Sequence, residues 1–224
     1  MNPSERQDIR SRFMKVDTSN VADVLDEMGF PNQGLAAEFS PFPQTTRQIA
    51  GFAYTIRGQM TPYPLGGDAE KMRACHGIGA DEISVWSGDG EGVCYFGELI
   101  AIGMKERGAV GALVDGGVRD VRWLGHHKIP VFARYRTPVQ SIGRWKVNAW
   151  QVPVEIRGAT TKFVTVAPGD FILGDEDGVI VVPEAIIPAV LTQAEELTAK
   201  EVQIRAELLK GLSLADALKT FGHV

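Results

Sequence analysis

Three ionisable residues have a spacing that could support chemistry: Glu98, and the adjacent pair Arg119 and Asp120, with twenty residues between the glutamate and the pair. Gly116 and Gly117 precede the pair, and glycine lets a backbone turn sharply and approach a ligand without a Cβ atom. A carboxylate there could ligate Mg²⁺ or Mn²⁺, and the guanidinium could bind the oxygen atoms of a small oxoacid. A surface loop with a local ion pair would explain the same two residues, so both interpretations stay open.

A helix and a strand would position these residues. The segment 97–107 has helical spacing, which places Glu98 at the start of a helix. The backbone N–H groups of Leu99 and Ile100 would lack intrahelical partners there and could bind an anion. The Arg-Asp pair would leave a strand at 111–114 through a glycine turn, so the strand end and the helix start are expected to face each other.

Short apolar stretches bounded by Gly, Pro or Asp predict a β-rich body. These predicted strands, together with a short helix at 16–29 and the helix at 97–107, favour a single α/β domain over 1–224, with its body at 16–182. The predicted strands are 49–57, 82–86, 111–114, 130–135, 152–157, 162–166, 171–174 and 178–182.

The C-terminal segment 183–210 changes to a helical pattern that begins at Pro183 and stops at Gly211. Its apolar residues recur at alternating steps of three and four, which predicts a long helix with one buried face. Glu201 interrupts this apolar stripe. Because an unpaired buried charge is costly, Glu201 is expected either at a solvated edge or against a partner group in the core or a subunit interface.

The overall composition excludes several classes of protein. The 23 basic and 28 acidic residues give a net charge of −5, without the basic excess of a nucleic-acid-binding protein. No apolar run approaches the length of a membrane span, and two cysteines are too few for a disulfide framework. We therefore expect no nucleic-acid or membrane partner, and a cytoplasmic location.

Two longer stretches resemble a known family: GELIAIGMKERGAVGALVDGGVRDVRWLGHHKIPVFAR at 97–134 and PGDFILGDEDGVIVVP at 168–183. The family is the RraA-like one, which includes regulator of ribonuclease activity A and the divalent-metal-dependent 4-hydroxy-4-methyl-2-oxoglutarate aldolases. The resemblance extends over residues 16–212. It implies a swivelling β/β/α domain, with a β-rich core and a long C-terminal helix, that assembles as a homotrimer or homohexamer.

The resemblance also implies roles for the ionisable residues. The aldolase branch is marked by an acidic residue, twenty intervening residues and then Arg-Asp. Asp120 would hold Mg²⁺ or Mn²⁺, Arg119 would bind the 2-oxo oxygen, and Glu98 would orient water bound to the ion. Aldolases of this family usually have an aspartate where this sequence has Glu98, so the reaction rate and the substrate stay open. Glu201, on the C-terminal helix, would reach the site of a neighbouring subunit.

The substrate carboxylate would bind at the start of the helix, against Gly97, Leu99 and Ile100. The implied function is a metal-dependent lyase that cleaves a 4-hydroxy-4-substituted 2-oxo acid by a retro-aldol reaction and releases pyruvate, with oxaloacetate decarboxylation as a side activity. The alternatives are a non-catalytic regulator that binds an RNA-processing enzyme, or a related lyase or decarboxylase with a different oxo-acid substrate.

Five other polar residues are not assigned to the chemistry. His126 and His127 match no metal-ligand spacing and are interpreted as structural or surface residues. Asp175 and Asp177 are interpreted as part of a hairpin turn. Asp68 lies in a loop that could cap the site.

Overall fold

A mixed β-sheet is the centre of the computed structural model, which describes residues 1–45 and 48–224. A separate hairpin, β8 with β9, packs beside the sheet. The strands are β1 (Ser40–Pro41), β2 (Ile49–Met60), β3 (Glu82–Ser87), β4 (Cys94–Phe96), β5 (Gly111–Val118), β6 (Val131–Arg136), β7 (Trp145–Trp150), β8 (Val154–Arg157), β9 (Phe163–Val166), β10 (Phe171–Gly174) and β11 (Val179–Val182).

Helices cover the sheet, and apolar side chains bury it on both faces. Two helices that lead away from the sheet, α4 and α5, concern the functional site most. The helices are α1 (Pro3–Phe13), α2 (Thr18–Glu27), α3 (Ala69–His76), α4 (Glu98–Lys105), α5 (Val121–His126), α6 (Ile187–Leu209) and α7 (Leu214–Phe221).

Parallel strands occupy the middle of the sheet. Its main path runs β1-β6-β5-β3-β2-β10-β11, and β2, β3, β5 and β6 are parallel neighbours. The short β4 is parallel to β5, whereas β1, β7, β10 and β11 pair antiparallel. Every residue of β5 is buried, as expected for a central parallel strand covered on both faces. The carboxyl ends of β4, β5 and β6 therefore meet at one edge, where open α/β sheets bind ligands.

The predicted α/β fold with a β-rich core and a long C-terminal helix is confirmed. Every predicted strand overlaps an observed one, but β1, β4 and β7 were not predicted. β4 has only three residues and follows a glycine-rich segment, so it has no periodic pattern of its own. The division into one domain, and the contact of 183–210 with a neighbouring subunit, stay predictions.

The expected glycine turn before the Arg-Asp pair is wrong. Gly116 and Gly117 lie inside β5, which continues to Val118. Neighbouring rings explain the two glycines. A Cβ atom on Gly117 would lie 2.6 Å from Cε2 of Tyr135, and one on Gly116 would collide with the ring of Tyr95. These glycines make room for aromatic packing and do not reverse the chain.

The C-terminal helix begins later than predicted. A 3-10 turn at Glu184–Ile186 precedes α6, which runs from Ile187 to Leu209 and is followed by α7. The first half of the predicted apolar stripe is buried, through Ala194. No helix in the described part of the chain is long and apolar enough to span a membrane.

Candidate active site

The candidate site lies where β4 and β5 end side by side. Phe96 is opposite Val118, and each strand leads directly into a helix, β4 into α4 and β5 into α5. The N–H of Arg119 donates to the carbonyl of Phe96 at 3.1 Å, which joins the two segments as they leave the sheet. The strand end and the helix start thus face each other, as the sequence predicts.

Gly97 allows this close approach. It is the N-cap residue of α4 and has an extended backbone. A Cβ atom at this position would lie 2.7 Å from Oδ2 of Asp120 and 3.1 Å from Cγ of Arg119. Any side chain here would therefore displace the Arg-Asp pair.

Asp120 is held by its backbone and by its carboxylate. Its φ of 60° and ψ of 30° lie in the left-handed region, which is uncommon for a residue other than glycine. Its carbonyl accepts hydrogen bonds from the N–H groups of Trp123 and Leu124, at 2.8 and 3.0 Å. Its Oδ2 accepts the N–H of Glu98 at 3.2 Å and lies 3.4 Å from Nε of Arg119. The carboxylate is thus directed at the start of α4.

The carboxylate of Glu98 is paired with a histidine. Oε1 of Glu98 lies 3.1 Å from Nε2 of His127, and the Glu98 side chain is 22% exposed. The turn after α5 thus brings the His127 ring to a predicted site residue, and its interpretation as a structural or surface residue stays a prediction. The ring of the adjacent His126 lies edge-to-face with two neighbours, its centroid 5.8 Å from that of Trp123 and 5.2 Å from that of His127.

An open cavity of about 480 Å³ lies above the two strand ends. Six of the predicted site residues line it: Gly97, Glu98, Leu99, Ile100, Arg119 and Asp120. Leu99 is exposed at the mouth, and its N–H and that of Ile100 belong to the first helical turn, where such groups lack intrahelical partners. The helix dipole adds partial positive charge at the same point. The geometry suits a carboxylate anion at the start of α4.

Lys71, which the sequence analysis did not single out, also lines this cavity. The residue is only 7% exposed. Its ammonium group donates to the carbonyl of Tyr95 and to Oγ of Ser141, the latter at 3.4 Å. Nζ lies 5.4 and 5.8 Å from the ring centroids of Trp86 and Trp145. Lys71 and Ala74, one turn apart, are the two buried residues of α3. The sequence carries no signal for this burial, because lysine is seldom buried.

Burial lowers the pKa of Lys71 to about 8. The thiols of Cys75 and Cys94 and the carboxylate of Asp68 act in the opposite direction, while Arg119 lowers the pKa further. Burial also raises the pKa of Cys75 to about 11, so this thiol stays protonated near neutral pH. Lys71 thus remains largely cationic at neutral pH, although its surroundings disfavour the charge.

Asp68 is the N-cap of α3 and lines the cavity, so its loop does border the site. Oδ1 accepts the N–H of Lys71 at 3.1 Å, and Oδ2 accepts the N–H of Val147 at 2.9 Å. Both carboxylate oxygens are therefore occupied by backbone donors. Asp68 ties α3 to β7 and does not form an ion pair with the Lys71 ammonium.

Few side chains at the cavity could ligate a metal ion. In residues 1–45 and 48–224, no three His, Cys, Asp or Glu side chains gather into a metal cluster. Asp120 offers one carboxylate at the cavity, 36% exposed, while Glu98 is turned toward His127. Mg²⁺ commonly binds one or two carboxylates and keeps several waters, and Mn²⁺ also favours carboxylate and water ligands. Asp120 therefore fits a largely hydrated divalent ion.

Glu201 does not line the cavity of its own chain. It lies on α6, with Oε1 at 3.3 Å from Nε2 of His223 and Oε2 at 3.8 Å from Arg205. Its predicted role at a neighbouring subunit's site therefore stays a prediction. The hairpin interpretation of Asp175 and Asp177 agrees with the structure, because they connect β10 to β11.

The sequence is similar to one protein family and to individual members of known sequence. A family model described as RraA-like (Aldolase/RraA) matches residues 18–181. A Halalkalibacterium halodurans protein that bears the provisional name 4-hydroxy-4-methyl-2-oxoglutarate aldolase is 27% identical, over 87% of this chain and 85% of its own. An uncharacterized Methanocaldococcus jannaschii protein is 33% identical, over 63% of this chain and 61% of its own length.

A solved structure shows the same fold. A Streptomyces coelicolor protein, described as an unusual member of the ribonuclease ES inhibitor RraA protein family, superposes with a TM-score of 0.74. The match covers 88% of this chain and 96% of the other, at 21% identity. The likeness at this identity concerns the fold alone.

Proposed function

Because the chain belongs to the RraA-like family of aldolases and RraA proteins, we propose that it is a divalent-metal-dependent lyase that releases pyruvate from a 4-hydroxy-4-substituted 2-oxo acid. Decarboxylation of oxaloacetate would be a side activity, and the active form would be a homotrimer or homohexamer. The observation that supports this proposal most directly is the juxtaposition of Arg119, Asp120 and the start of α4 around Gly97, in one cavity.

The start of α4 and Arg119 would orient the substrate. The C1 carboxylate binds the N–H groups of Leu99 and Ile100, where the helix dipole favours an anion. The guanidinium of Arg119, 42% exposed at the cavity, then donates to the 2-oxo oxygen. This interaction strengthens as negative charge grows on that oxygen, so it lowers the barrier to reaction.

The retro-aldol step breaks the C3–C4 bond. Its electron pair moves toward C2 and gives the enolate of pyruvate, while the C4 hydroxyl loses its proton. Asp120 would hold Mg²⁺ or Mn²⁺, which supplies positive charge to stabilise the developing enolate. The Glu98 carboxylate, oriented by His127, would position the water that takes the hydroxyl proton and later returns a proton to C3. With oxaloacetate, the same bond breaks and carbon dioxide leaves.

Pyruvate detection tests this function. The protein is mixed with oxaloacetate or 4-carboxy-4-hydroxy-2-oxoadipate, with Mg²⁺, with Mn²⁺ or with a chelator. We expect pyruvate to form faster than with free metal alone, and the chelator to stop the reaction. Asp120→Ala should reduce kcat/KM by about 100-fold or more, because the carboxylate assigned to the metal is lost. The absence of pyruvate from both substrates would refute this activity and favour the alternatives, the regulator or a lyase with a different oxo-acid substrate.

A further inference from the structure

Lys71 is a buried cation without a carboxylate partner. Among the described residues, its ammonium contacts two uncharged acceptors, the Tyr95 carbonyl and the Ser141 hydroxyl. The two acidic residues nearest in sequence are engaged elsewhere: Asp68 has both carboxylate oxygens on backbone N–H groups, and Glu70 pairs with Arg73 at 2.6 Å. An ammonium has three N–H donors, and these contacts use two of them. One donor thus remains for a group in the cavity that Lys71 lines.

The packing around Lys71 gives no stability reason for its charge. The residue is 7% exposed, and burial disfavours the ammonium. The faces of Trp86 and Trp145 stabilise a cation but do not neutralise it. A methionine of similar length would fill the same space without this cost. A buried charge kept at such a cost, at the edge of a cavity, is typical of a binding residue.

We propose that Lys71 binds a second carboxylate of the substrate, so that this site selects dianionic 2-oxo acids over monoanionic ones. The inference rests on the proposed function, because it assumes that the C1 carboxylate lies at the start of α4. It assigns Lys71 to the end of the substrate that carries the C4 carboxylate or the acidic C4 substituent.

The backbone connects the two proposed anion sites through a short extended stretch. Lys71 binds the carbonyl of Tyr95, two residues before Gly97, where α4 begins. Phe96 belongs to β4 and Gly97 is also extended, so this stretch covers about 6–7 Å. This backbone span is of the same order as the length of a dicarboxylate with four or five carbon atoms. Lys71 and the start of α4 both line the same cavity.

The charge of the distal carboxylate predicts how kinetics respond. In oxaloacetate decarboxylation, that carboxylate loses its charge as carbon dioxide forms, so Lys71 binds the ground state at least as well as the transition state. Loss of Lys71 should therefore raise KM and leave kcat unchanged or higher. One charge-assisted hydrogen bond corresponds to roughly a tenfold or greater change in KM.

The first experiment measures binding without turnover. L-malate and L-lactate differ by one carboxylate, and neither has the 2-oxo group of the proposed substrate. Isothermal titration should show that the parent protein binds malate at least about tenfold more tightly than lactate, and that Lys71→Met abolishes this preference while lactate affinity stays unchanged. Lys162→Met is the matched control, because Lys162 is exposed on the turn between β8 and β9. Equal preference in the parent and in Lys71→Met would overturn the proposal.

The second experiment measures kinetics with oxaloacetate and with 4-hydroxy-2-oxopentanoate, which lacks the second carboxylate. We expect Lys71→Met to raise KM for oxaloacetate only. If Lys71→Met does not fold by circular dichroism, Lys71→Gln replaces it, since its amide can still donate to the Tyr95 carbonyl. A fall in kcat with unchanged KM contradicts the proposal. A parent protein without pyruvate release, but with the Lys71-dependent malate preference, would refute the lyase function and retain the anion site.

Discussion

Because Gly97 has no side chain, the Arg119-Asp120 segment can approach the start of α4 closely. Oδ2 of Asp120 occupies the space that a Cβ atom would need, and the same carboxylate accepts the N–H of Glu98. Asp120 also has a left-handed backbone conformation. Such strained residues occur often at functional sites, where the surrounding structure holds them in place. A small change at either residue should therefore affect activity more than stability.

Gly97→Ala tests this contact. A methyl group 2.7 Å from Oδ2 of Asp120 must displace the carboxylate, and a displacement near 1 Å can cost about 100-fold in rate. We expect kcat/KM for oxaloacetate to fall by about that factor while the thermal unfolding midpoint changes little. Gly103→Ala, in the same helix and with no atom near its added Cβ, is the control. A Gly97→Ala protein with full activity would show that the Arg-Asp pair does not need this position.

The charge of Lys71 links stability to pH. Its folded pKa, about 8, is below the value of roughly 10.4 in an unfolded chain, so the unfolded chain binds the proton more tightly. Protonation therefore favours unfolding. The destabilisation is complete below pH 8, diminishes as pH rises from 8 toward 10.4, and is absent above that. The groups that share this environment are Asp68, Cys75, Cys94 and Arg119.

Denaturant titrations between pH 7 and 10.5 would measure this linkage. The unfolding free energy of the parent, minus that of Lys71→Met, should rise with pH by roughly 3 kcal/mol over this range. The cysteines and tyrosines titrate in both proteins, so the difference mainly reports Lys71. A difference that stays constant or falls with pH would contradict the buried, destabilised ammonium.

At the scale of elements, a buried carboxylate joins the first part of the chain to the sheet. Asp175 follows β10 and is 8% exposed. Its carboxylate accepts the N–H and hydroxyl of Thr18 at 2.8 and 2.7 Å, and the N–H of Asp177 at 3.0 Å. One side chain thus binds the first residue of α2 and shapes the turn between β10 and β11. None of these three residues lines the cavity, so we assign this connection a structural role.

Asp175→Ala should lower the free energy of unfolding by about 1–3 kcal/mol, because buried donors of Thr18 lose their acceptor. The turnover number of the folded fraction should not change. Asp177→Ala is the matched control, since Asp177 is exposed and its contact to Asp175 uses its backbone N–H. Equal stability of both variants in urea titrations would show that the Asp175 contacts do not stabilise the fold.

At the scale of the whole molecule, a single chain holds most of the predicted site but not Glu201. The cavity contains Arg119, Asp120 and the start of α4, while Glu201 lies on α6 beside His223. If Glu201 completes the site of a neighbouring subunit, the functional unit is an oligomer. A head-to-tail ring would allow each subunit to contribute this residue to the next one.

Mixed oligomers test this arrangement. Asp120→Ala and Glu201→Gln should each be nearly inactive alone, because every site in the homo-oligomer carries the defect. After the two are unfolded and refolded together, about a quarter of the sites in randomly mixed rings should combine an intact Asp120 with an intact neighbouring Glu201. Pyruvate release should recover to that extent. Full activity of Glu201→Gln alone, or of a diluted monomer, would contradict the role of Glu201.

Local patterns in the sequence determined much of the fold. Apolar runs located the long strands, and the recurrence of apolar residues located α4 and α6. The spacing of Glu98 and the Arg-Asp pair predicted a strand end beside a helix start, which the structure contains. These features depend on residues close in the chain, so their periodicity is visible before the chain folds.

Only the tertiary structure decided which distant residues share the cavity. Lys71 meets Tyr95 and Ser141, which lie 24 and 70 positions away, and His127 meets Glu98 across 29 positions. No local pattern encodes such contacts, because the order of the strands and the packing of helices on the sheet determine them. The same limit explains the glycines of β5: Gly116 reads as a turn in the sequence, and only the Tyr95 ring packed against it shows why a strand needs glycine there.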